Sequence, residues 1–336
     1  MKKTIIAIAM LGLSVMSYAQ DATAEMAAAI DDAKQVAAEA PKPNYWKKSL
    51  KTTINFGQTS LSNWAAGGYN SYTLRSYIDG SMNYEKNKTT FTNRLQLDYG
   101  FLYSEDKPIL QKCDDRIYLE SKFGYKTQNE HLSITASFDF KTQFTKGYTY
   151  PGSVTPADPD AGVTKQDWKN AAVLKSDLFA PAYTNLGLGI NYKPAGWINV
   201  NLAPLTGGLV IVQNPELRKT YGQPQKNGEE GYRPVRFEFG AQLKVDAKVS
   251  VNDVFTYTTQ FVAFSNYIKD PQNMRINWDN TINYKLSKYL SLNLITNLIY
   301  DPNVLIVMDK DKDIYPDGIQ RIQFKESLAL GLVFQF

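Results

Sequence analysis

The 336-residue sequence contains one cysteine, Cys113, and one histidine, His131. A single cysteine excludes an intrachain disulfide. A single histidine removes most metal sites and every Ser–His or Cys–His mechanism that does not use His131. The chemistry of this chain is therefore expected to depend on other residue types.

Long hydrophobic runs are also missing. Mean hydropathy is −0.37, and after the first 20 residues no run approaches 18 apolar residues. This excludes a membrane-spanning helix after residue 20, but not membrane strands, which are apolar only at every second position. The chain also has no strong charge of one sign. It contains 37 basic and 33 acidic residues, and the basic count falls to 35 when Lys2 and Lys3 at the N-terminus are left out. Such a balance does not indicate a nucleic-acid partner.

The N-terminus has the pattern of an export signal. Lys2 and Lys3 precede an apolar stretch from 4 to 16, and the small residues Ser17 and Ala19 stand at positions −3 and −1 before a cleavage point after Ala19. We predict a signal peptide at 1–19. Residues 20–44 are alanine-rich and acidic, with Pro41 and Pro43 at the end, and are predicted to form a periplasmic leader, either disordered or a short helix that docks.

From Tyr45 onward, apolar and polar residues alternate. In 235–251, every odd position from Phe237 is apolar or alanine, and the positions between carry charged, polar or glycine residues. Period 2 predicts strands with two different faces. The predicted strands are 48–58, 71–84, 89–103, 116–127, 132–144, 182–193, 197–204, 235–251, 254–264, 274–286, 289–300 and 321–336.

The predicted connections alternate strictly between short and long. Connections two, four, six, eight and ten are short, whereas the odd-numbered connections are longer, the longest being 145–181 and 205–234. Short periplasmic turns, long outer loops and an even strand number are typical of outer-membrane barrels. We therefore predict an all-β fold over 45–336, a 12-stranded antiparallel transmembrane β-barrel of outer-membrane type. A soluble β-sandwich, the alternative, has no reason to sort its loops in this way.

The last strand, LALGLVFQF at 328–336, alternates to its final residue, which a strand with neighbours on both edges permits. Its pattern of Gly331, Phe334 and Phe336 resembles the C-terminal signal that the outer-membrane assembly machinery reads. Glu326 is an exception because its parity is outward. We expect it at the rim, or shifted by a bulge.

Two stretches carry a family resemblance, LSNWAAGGYNSYTL (61–74) and SDLFAPAYTNLGLGINYKP (176–194). They resemble a family of exported Gram-negative proteins known only as a domain of unknown function. The resemblance implies an outer-membrane barrel over about 45–336 and no activity. Gly67 and Gly68 permit a tight reversal. Trp64 beside them either folds over the barrel mouth, packs on a partner, or is an ordinary interface tryptophan.

Charged residues occupy the predicted inward parity, since a charge facing lipid at the midplane would cost roughly 2–4 kcal/mol. They serve either as ion pairs that hold the lumen closed or as the lining of a narrow, mildly anion-preferring pore. The predicted lumen residues are Arg75, Asp79, Arg94, Asp98, Arg116, Glu120, Lys122, Asp139, Lys141, Arg236, Glu238, Lys244, Asp246, Lys248, Arg275 and Asp279.

The last outer loop contains a weak calcium candidate. Asp309, Asp311, Asp313 and Asp317 occupy positions 1, 3, 5 and 9 of a calcium-loop frame. Position 6 is Ile314 rather than glycine and position 12 is Gln320 rather than glutamate, so a solvated turn around Pro316–Gly318 is the alternative. No other cofactor is expected.

Two functions follow from these patterns. The first is a narrow, weakly anion-preferring channel for small solutes. The second is a closed structural barrel that serves as an accessory subunit of an outer-membrane complex and contacts an envelope partner through the loops at 145–181 and 205–234. Enzymatic activity is not expected, because His131 lies in a predicted periplasmic turn, away from an outward-facing lipase site.

Overall fold

The computed structural model describes residues 44–61, 69–158, 160, 162–307 and 313–335. Several predictions concern positions outside these described residues: the signal peptide at 1–19, residues 20–43 of the leader at 20–44, Trp64, Gly67, Gly68, Asp309, Asp311 and Phe336. In the part of the chain that the structure describes, no helix has the length and apolar character needed to cross a membrane.

Twelve long strands form one closed antiparallel barrel. In chain order the strands are β1 (Trp46–Thr59), β2 (Ser71–Lys86), β3 (Thr89–Ser104), β4 (Lys107–Lys126), β5 (Leu132–Thr142), β6 (Gly147–Thr149), β7 (Val173–Ser176), β8 (Ala182–Ala195), β9 (Ile198–Ile211), β10 (Val235–Ser250), β11 (Phe255–Asn266), β12 (Arg275–Lys285), β13 (Leu290–Tyr300) and β14 (Gln323–Gln335). Only β6 and β7 stand outside the barrel, as a separate pair. A helix, α1 (Lys165–Asn170), precedes β7, and a 3₁₀ turn (Pro215–Leu217) follows β9. The barrel closes where β1 pairs with β14, from Lys51↔Gln335 to Phe56↔Leu330.

The two faces of the barrel wall have the reverse of the polarity found in a soluble protein. Outward side chains are apolar and exposed, such as Leu186 at 63% and Phe237 at 60%. Inward side chains are polar and buried, such as Glu238 at 1% and Asn201 at 3%. Such a wall is stable only with hydrocarbon outside and a polar interior. The fold is therefore a transmembrane β-barrel of the outer-membrane type, as the alternation predicts.

The strict alternation of connection lengths was wrong at the third connection. Residues 104–115 were predicted as a long loop, but β3 and β4 are joined by a turn at 105–106, and 107–115 belong to β4. The register shifts here, because Gly100 pairs with Asp114 and Phe101 pairs with Lys112. The bulge at Cys113 changes the parity of β4, so simple alternation could not be followed through it.

The loop predicted at 205–234 begins later than expected, at residue 212. Residues 205–211 continue β9, and Gly207 and Gly208 pair with residues of both β8 and β10. Two adjacent glycines are typical of a loop, but here neighbouring strands hold them in the sheet. The alternative of a bulge at Glu326 was also wrong, because β13 and β14 pair without a register shift from Leu290↔Leu332 to Ile299↔Gln323.

Candidate functional site in the barrel lumen

Eleven of the sixteen predicted lumen residues line a cavity of the barrel. The other five bond to inward side chains: Asp79, Glu120, Asp139, Arg236 and Lys244. Several form pairs along one part of the wall. Arg75 donates two hydrogen bonds to Asp98, at 2.7 and 2.5 Å. Arg94 likewise donates two to Asp79, at 2.9 and 2.7 Å. These two-pronged pairs join adjacent strands and leave both arginines neutralised.

Other pairs cross the lumen. Arg116 Nη1 on β4 lies 2.7 Å from Asp279 Oδ2 on β12. In the closed order of twelve strands, β4 and β12 are six places apart and therefore lie on opposite walls. Lys141 Nζ on β5 donates to Asn277 Oδ1, also on β12, at 3.0 Å. Opposite walls are thus tied together by direct side-chain bonds.

A second group of side-chain bonds also crosses the lumen. Lys244 on β10 donates to Glu120 and, at 3.1 Å, to the Tyr118 hydroxyl, both on β4. Lys325 on β14 forms an ion pair with Asp114 on β4. These contacts join strands four places apart around the barrel. The interior is therefore bridged from several directions.

A cavity of about 680 Å³ opens at the barrel end that carries the short connections. Its acidic groups are mostly engaged, as Glu85 pairs with Lys126 at 2.5 Å and Asp279 pairs with Arg116. Five lysines in its wall have no carboxylate within 4.0 Å among the described residues: Lys47, Lys51, Lys122, Lys193 and Lys248. The cavity therefore carries an excess of unneutralised positive charge.

Three of these lysines were missing from the predicted lumen set. Lys51 has the inward parity of β1, which it shares with the buried Thr53 and Asn55, so alternation alone could have identified it. Lys47 and Lys193 lie towards the strand ends, where parity is a weaker guide. The other two of the five lysines, Lys122 and Lys248, were among the predicted lumen residues.

A second cavity, of about 390 Å³, lies on the other side of the Arg116–Asp279 pair. Arg116, Asp279 and Asn297 line both cavities. Asn297 supports the pair by donating to Asp279 Oδ1 at 2.8 Å. We call these three residues the septum. The septum is the part of the lumen where the two cavities meet.

At the end with the long connections, the loops pack into a cap. Its small core consists of Ala180, Val210, Val212 and Leu217. Arg236 fastens the 212–234 loop to the barrel, because its Nη1 donates to the carbonyl oxygens of Tyr221 at 2.8 Å and Gly222 at 2.6 Å. Arg236, which was predicted to line the lumen, therefore holds the loop of the cap against the barrel.

The phenol of Tyr221 is buried from water inside the cap. Its hydroxyl donates to the carbonyl oxygen of Lys175 at 2.8 Å. Burial raises the pKa of Tyr221 to about 12, and the nearby negative charge of Asp301 adds to the effect. In the loop at 143–181, hydrogen bonds from Thr164 lower the pKa of the Asp167 carboxyl, and the same bonds cap the N-terminus of α1.

The calcium candidate is only partly within the described residues. Asp317 pairs with Lys219 at 2.8 Å, and the Gly318 N–H donates to the carbonyl oxygen of Tyr315 at 3.0 Å, which closes the turn foreseen as the alternative. Among the described residues there is no group of three or more His, Cys, Asp or Glu side chains that could hold a metal ion. With Asp309 and Asp311 undescribed, calcium binding stays a prediction.

His131, Gly331 and Phe334 lie in the elements to which the sequence assigned them. His131 sits in the short turn before β5, with Nδ1 2.9 Å from the carbonyl oxygen of Lys193. Gly331 lies against the side chains of Asn55 and Asn293. Phe334 faces outward, with its ring 6.2 Å from that of Tyr289. Recognition of this strand by the assembly machinery remains a prediction.

Comparison with known families gives one match. The model of a family described as "Protein of unknown function (DUF3078)" matches residues 56–148. This range includes the tryptophan–glycine segment at 61–74 but not the second resembling stretch at 176–194. No curated protein matches the chain.

Solved structures of outer-membrane barrels are similar to this chain at low sequence identity. The translocator domain of the autotransporter NalP from Neisseria meningitidis is 11% identical, with a TM-score of 0.37, and the match covers 94% of this chain and 98% of that one. An outer membrane channel from Pseudomonas putida F1 is 13% identical, with a TM-score of 0.36 and coverage of 88% and 100%. The NanC porin is 7% identical, with a TM-score of 0.35 and coverage of 85% and 98%. The class of this chain, an outer-membrane β-barrel protein, is defined by its own strand order and its apolar outer face.

Proposed function

We propose that this protein is a narrow diffusion channel that prefers small anions, and that the septum is its gate. The observation that carries the proposal is the excess of unneutralised lysines in the cavity at the short-connection end. Lysines that have no internal partner lower the energy of an anion and raise that of a cation. A barrel braced only for stability would gain more from lysines that were paired.

The septum is the place where such a path would be narrow. The two cavities share Arg116, Asp279 and Asn297, so the Arg116–Asp279 ion pair lies at the boundary between the two spaces. Arg116 Nε is buried and has no hydrogen-bond partner among the described residues. An anion that reached the septum would find this unused donor and the guanidinium charge together, and it could compete with Asp279 for Arg116.

The selectivity test uses three lysines of the large cavity. In planar bilayers with a salt gradient, the reversal potential of the wild type should be shifted from zero towards the equilibrium potential of the anion. Replacing Lys51, Lys122 and Lys248 by glutamine should lower the anion-to-cation permeability ratio by about twofold or more, because three unscreened charges are removed.

A matched control removes the same charge elsewhere. Lys146, Lys165 and Lys169 are exposed in the loop at 143–181, and replacing them by glutamine should leave the ratio unchanged. An open channel whose ion preference is the same in both triple variants would contradict the proposal.

A second candidate function, a closed barrel acting as an accessory subunit, is favoured by two observations. The cross-lumen bonds and the packed cap reduce the space for passage, and the loop at 143–181 exposes apolar side chains. Val163 is 47% exposed, Val173 55% and Leu178 45%. Such a surface suits an envelope protein partner. A barrel that stays silent at all voltages, and that co-purifies with a partner through this loop, would support this function instead.

A further inference from the structure

The wall of the cavity at the short-connection end carries more positive charge than its carboxylates can balance. Four of its basic side chains have a carboxylate within 4.0 Å: Arg75, Arg94, Arg116 and Lys126. Against the five lysines that have none stand two further carboxylates of the wall, Glu130 and Asp246. Asp246 also lies 3.9 Å from Lys244, so it is already partly engaged. Among the described residues, the wall therefore has an excess of three positive charges, five lysines against two carboxylates.

The five lysines surround the same end of the lumen. Each lies within five residues of the strand end at the short connections, because β1 begins at 46, β4 ends at 126, β8 at 195 and β10 at 250. They come from four strands spread around the wall: Lys47 and Lys51 from β1, Lys122 from β4, Lys193 from β8 and Lys248 from β10. An anion that enters at this end meets positive charge from several sides.

Two pairs of these lysines repel each other. The charges of Lys51 and Lys248 interact although β1 and β10 are five places apart in the ring of twelve strands. The charges of Lys122 and Lys193 interact from β4 and β8, which are two places apart. Like charges held close together raise the energy of the folded protein, and a bound anion offsets this cost. An anion with a single charge can offset the repulsion in one pair, whereas an anion with two or three charges can offset it in both.

The lysines also have donors available for such a ligand. Lys122 Nζ donates to Asn191 Oδ1 at 3.0 Å, which uses one of its three N–H groups. The ammonium groups of Lys51 and Lys248 make no hydrogen bond to the described residues. The cavity volume of about 680 Å³ lies in the range of roughly 300–1,000 Å³ that small-molecule sites occupy. The space and the donors therefore suit a compact solute with several acidic groups.

We propose that this cavity binds small oxyanions that carry two or three negative charges, with Lys51 and Lys248 at one end of the ligand and Lys122 and Lys193 at the other. Carboxylate and phosphate oxygens are the acceptors to which ammonium groups bind most strongly. The inference rests on the proposed function, since it names the class of solute that the channel prefers. It goes beyond that function because selection is by valence as well as by sign.

The test is calorimetric titration of the full-length protein in non-ionic detergent at low ionic strength. The probes are tricarballylate, which has three carboxylates, and acetate, which has one. Tricarballylate should bind at least about tenfold more tightly, because its added charges meet further lysines. Replacing Lys51 and Lys248 together by glutamine should weaken tricarballylate binding about tenfold or more, whereas replacing both by arginine, which keeps the charge, should change it less than about threefold.

A matched control removes the same charge from an exposed surface. Lys165 and Lys169 are exposed in the loop at 143–181, and replacing both by glutamine should leave tricarballylate binding unchanged. Equal wild-type affinities for tricarballylate and acetate would overturn the proposal. So would tricarballylate binding that the glutamine variant of Lys51 and Lys248 retains in full, or that the arginine variant loses to the same extent as the glutamine variant.

The titration does not require the barrel to conduct, so it separates this proposal from the channel function. A barrel that is silent in bilayers but binds tricarballylate in preference to acetate would support the binding site and contradict only the channel. A conducting, anion-preferring barrel that binds both probes equally would contradict the binding site and leave the channel function standing.

Discussion

Arg116 and Asp279 lie 163 residues apart in the chain and meet across the lumen, with Nη1 2.7 Å from Oδ2. Their strands stand on opposite walls, so this one pair braces the barrel and also separates its two cavities. Both side chains are 19% exposed, which places the pair between a surface salt bridge and a fully buried one.

The bracing role can be measured with a double-mutant cycle. We expect Arg116→Ala and Asp279→Ala to be coupled by about 1–3 kcal/mol in the free energy of unfolding, because each single change leaves a charge without its partner. Urea unfolding of the protein in lipid vesicles provides the four free energies. Lys219 and Asp317 form the control pair, since both are more than half exposed, and their coupling should stay below about 1 kcal/mol.

The closure of the barrel between its first and last strands is open to direct test. The register sets Ile54 opposite Leu332, so cysteines at these two positions in a Cys113→Ser background should form an intramolecular disulfide. Ile54→Cys combined with Phe334→Cys is two residues out of register and should react much more slowly. Equal rates for the two combinations would mean that the strands do not pair as described.

The packing of the cap depends on a glycine with positive φ. Gly222 has φ of +60°, and a Cβ there would lie 2.7 Å from the carbonyl oxygen of Asn303. We expect Gly222→Ala to destabilise the cap by about 1–3 kcal/mol beyond the backbone strain, which is a roughly 5- to 150-fold larger open population. Trypsin cleavage of the 212–234 loop in intact cells measures this.

Gly228 supplies the matched control for the cap. Its φ is +72°, so alanine there has the same kind of backbone strain, but no atom lies within 4 Å of the added Cβ. Gly228→Ala should therefore accelerate cleavage much less than Gly222→Ala. Similar rates in the two variants would show that the Gly222–Asn303 contact does not hold the cap.

The buried phenol of Tyr221 makes the cap sensitive to high pH. Because burial raises its pKa to about 12, the fold favours the neutral phenol. Its contribution to stability is complete below the ordinary pKa of about 10 and is lost as the pH rises to about 12. The difference in phenolate absorbance between the wild type and Tyr221→Phe should show one tyrosine titrating near pH 12. A difference curve centred near pH 10 would mean that Tyr221 is exposed to water.

Sequence patterning predicted the fold because a membrane barrel enforces alternation at nearly every strand position. It was wrong where a local feature interrupts that rule. The bulge at Cys113 reverses the parity of β4, and the Gly207–Gly208 pair stays in the sheet through its neighbours. Glu326 breaks the pattern without breaking the register, so no bulge accounts for its outward position.

The sequence could predict which charged residues face the lumen, but it could not predict which of them contact one another. Inward parity identified the charged residues, because a charge has no stable place against lipid. It could not tell which of them meet across the lumen, since a pair such as Arg116 and Asp279 depends on barrel shape and strand order. For the same reason parity could not separate the neutralised Lys244 from the unneutralised Lys248.

The central claim is that the lumen is an anion path gated by the Arg116–Asp279 pair, and single-channel recording of Asp279→Asn beside the wild type tests it most directly. We expect the variant to show larger or more frequent openings, with a reversal potential shifted further to the anion side, because Arg116 loses its nearest carboxylate while the lysines remain. Silence of both proteins at all voltages, or a shift towards cations, would contradict the account.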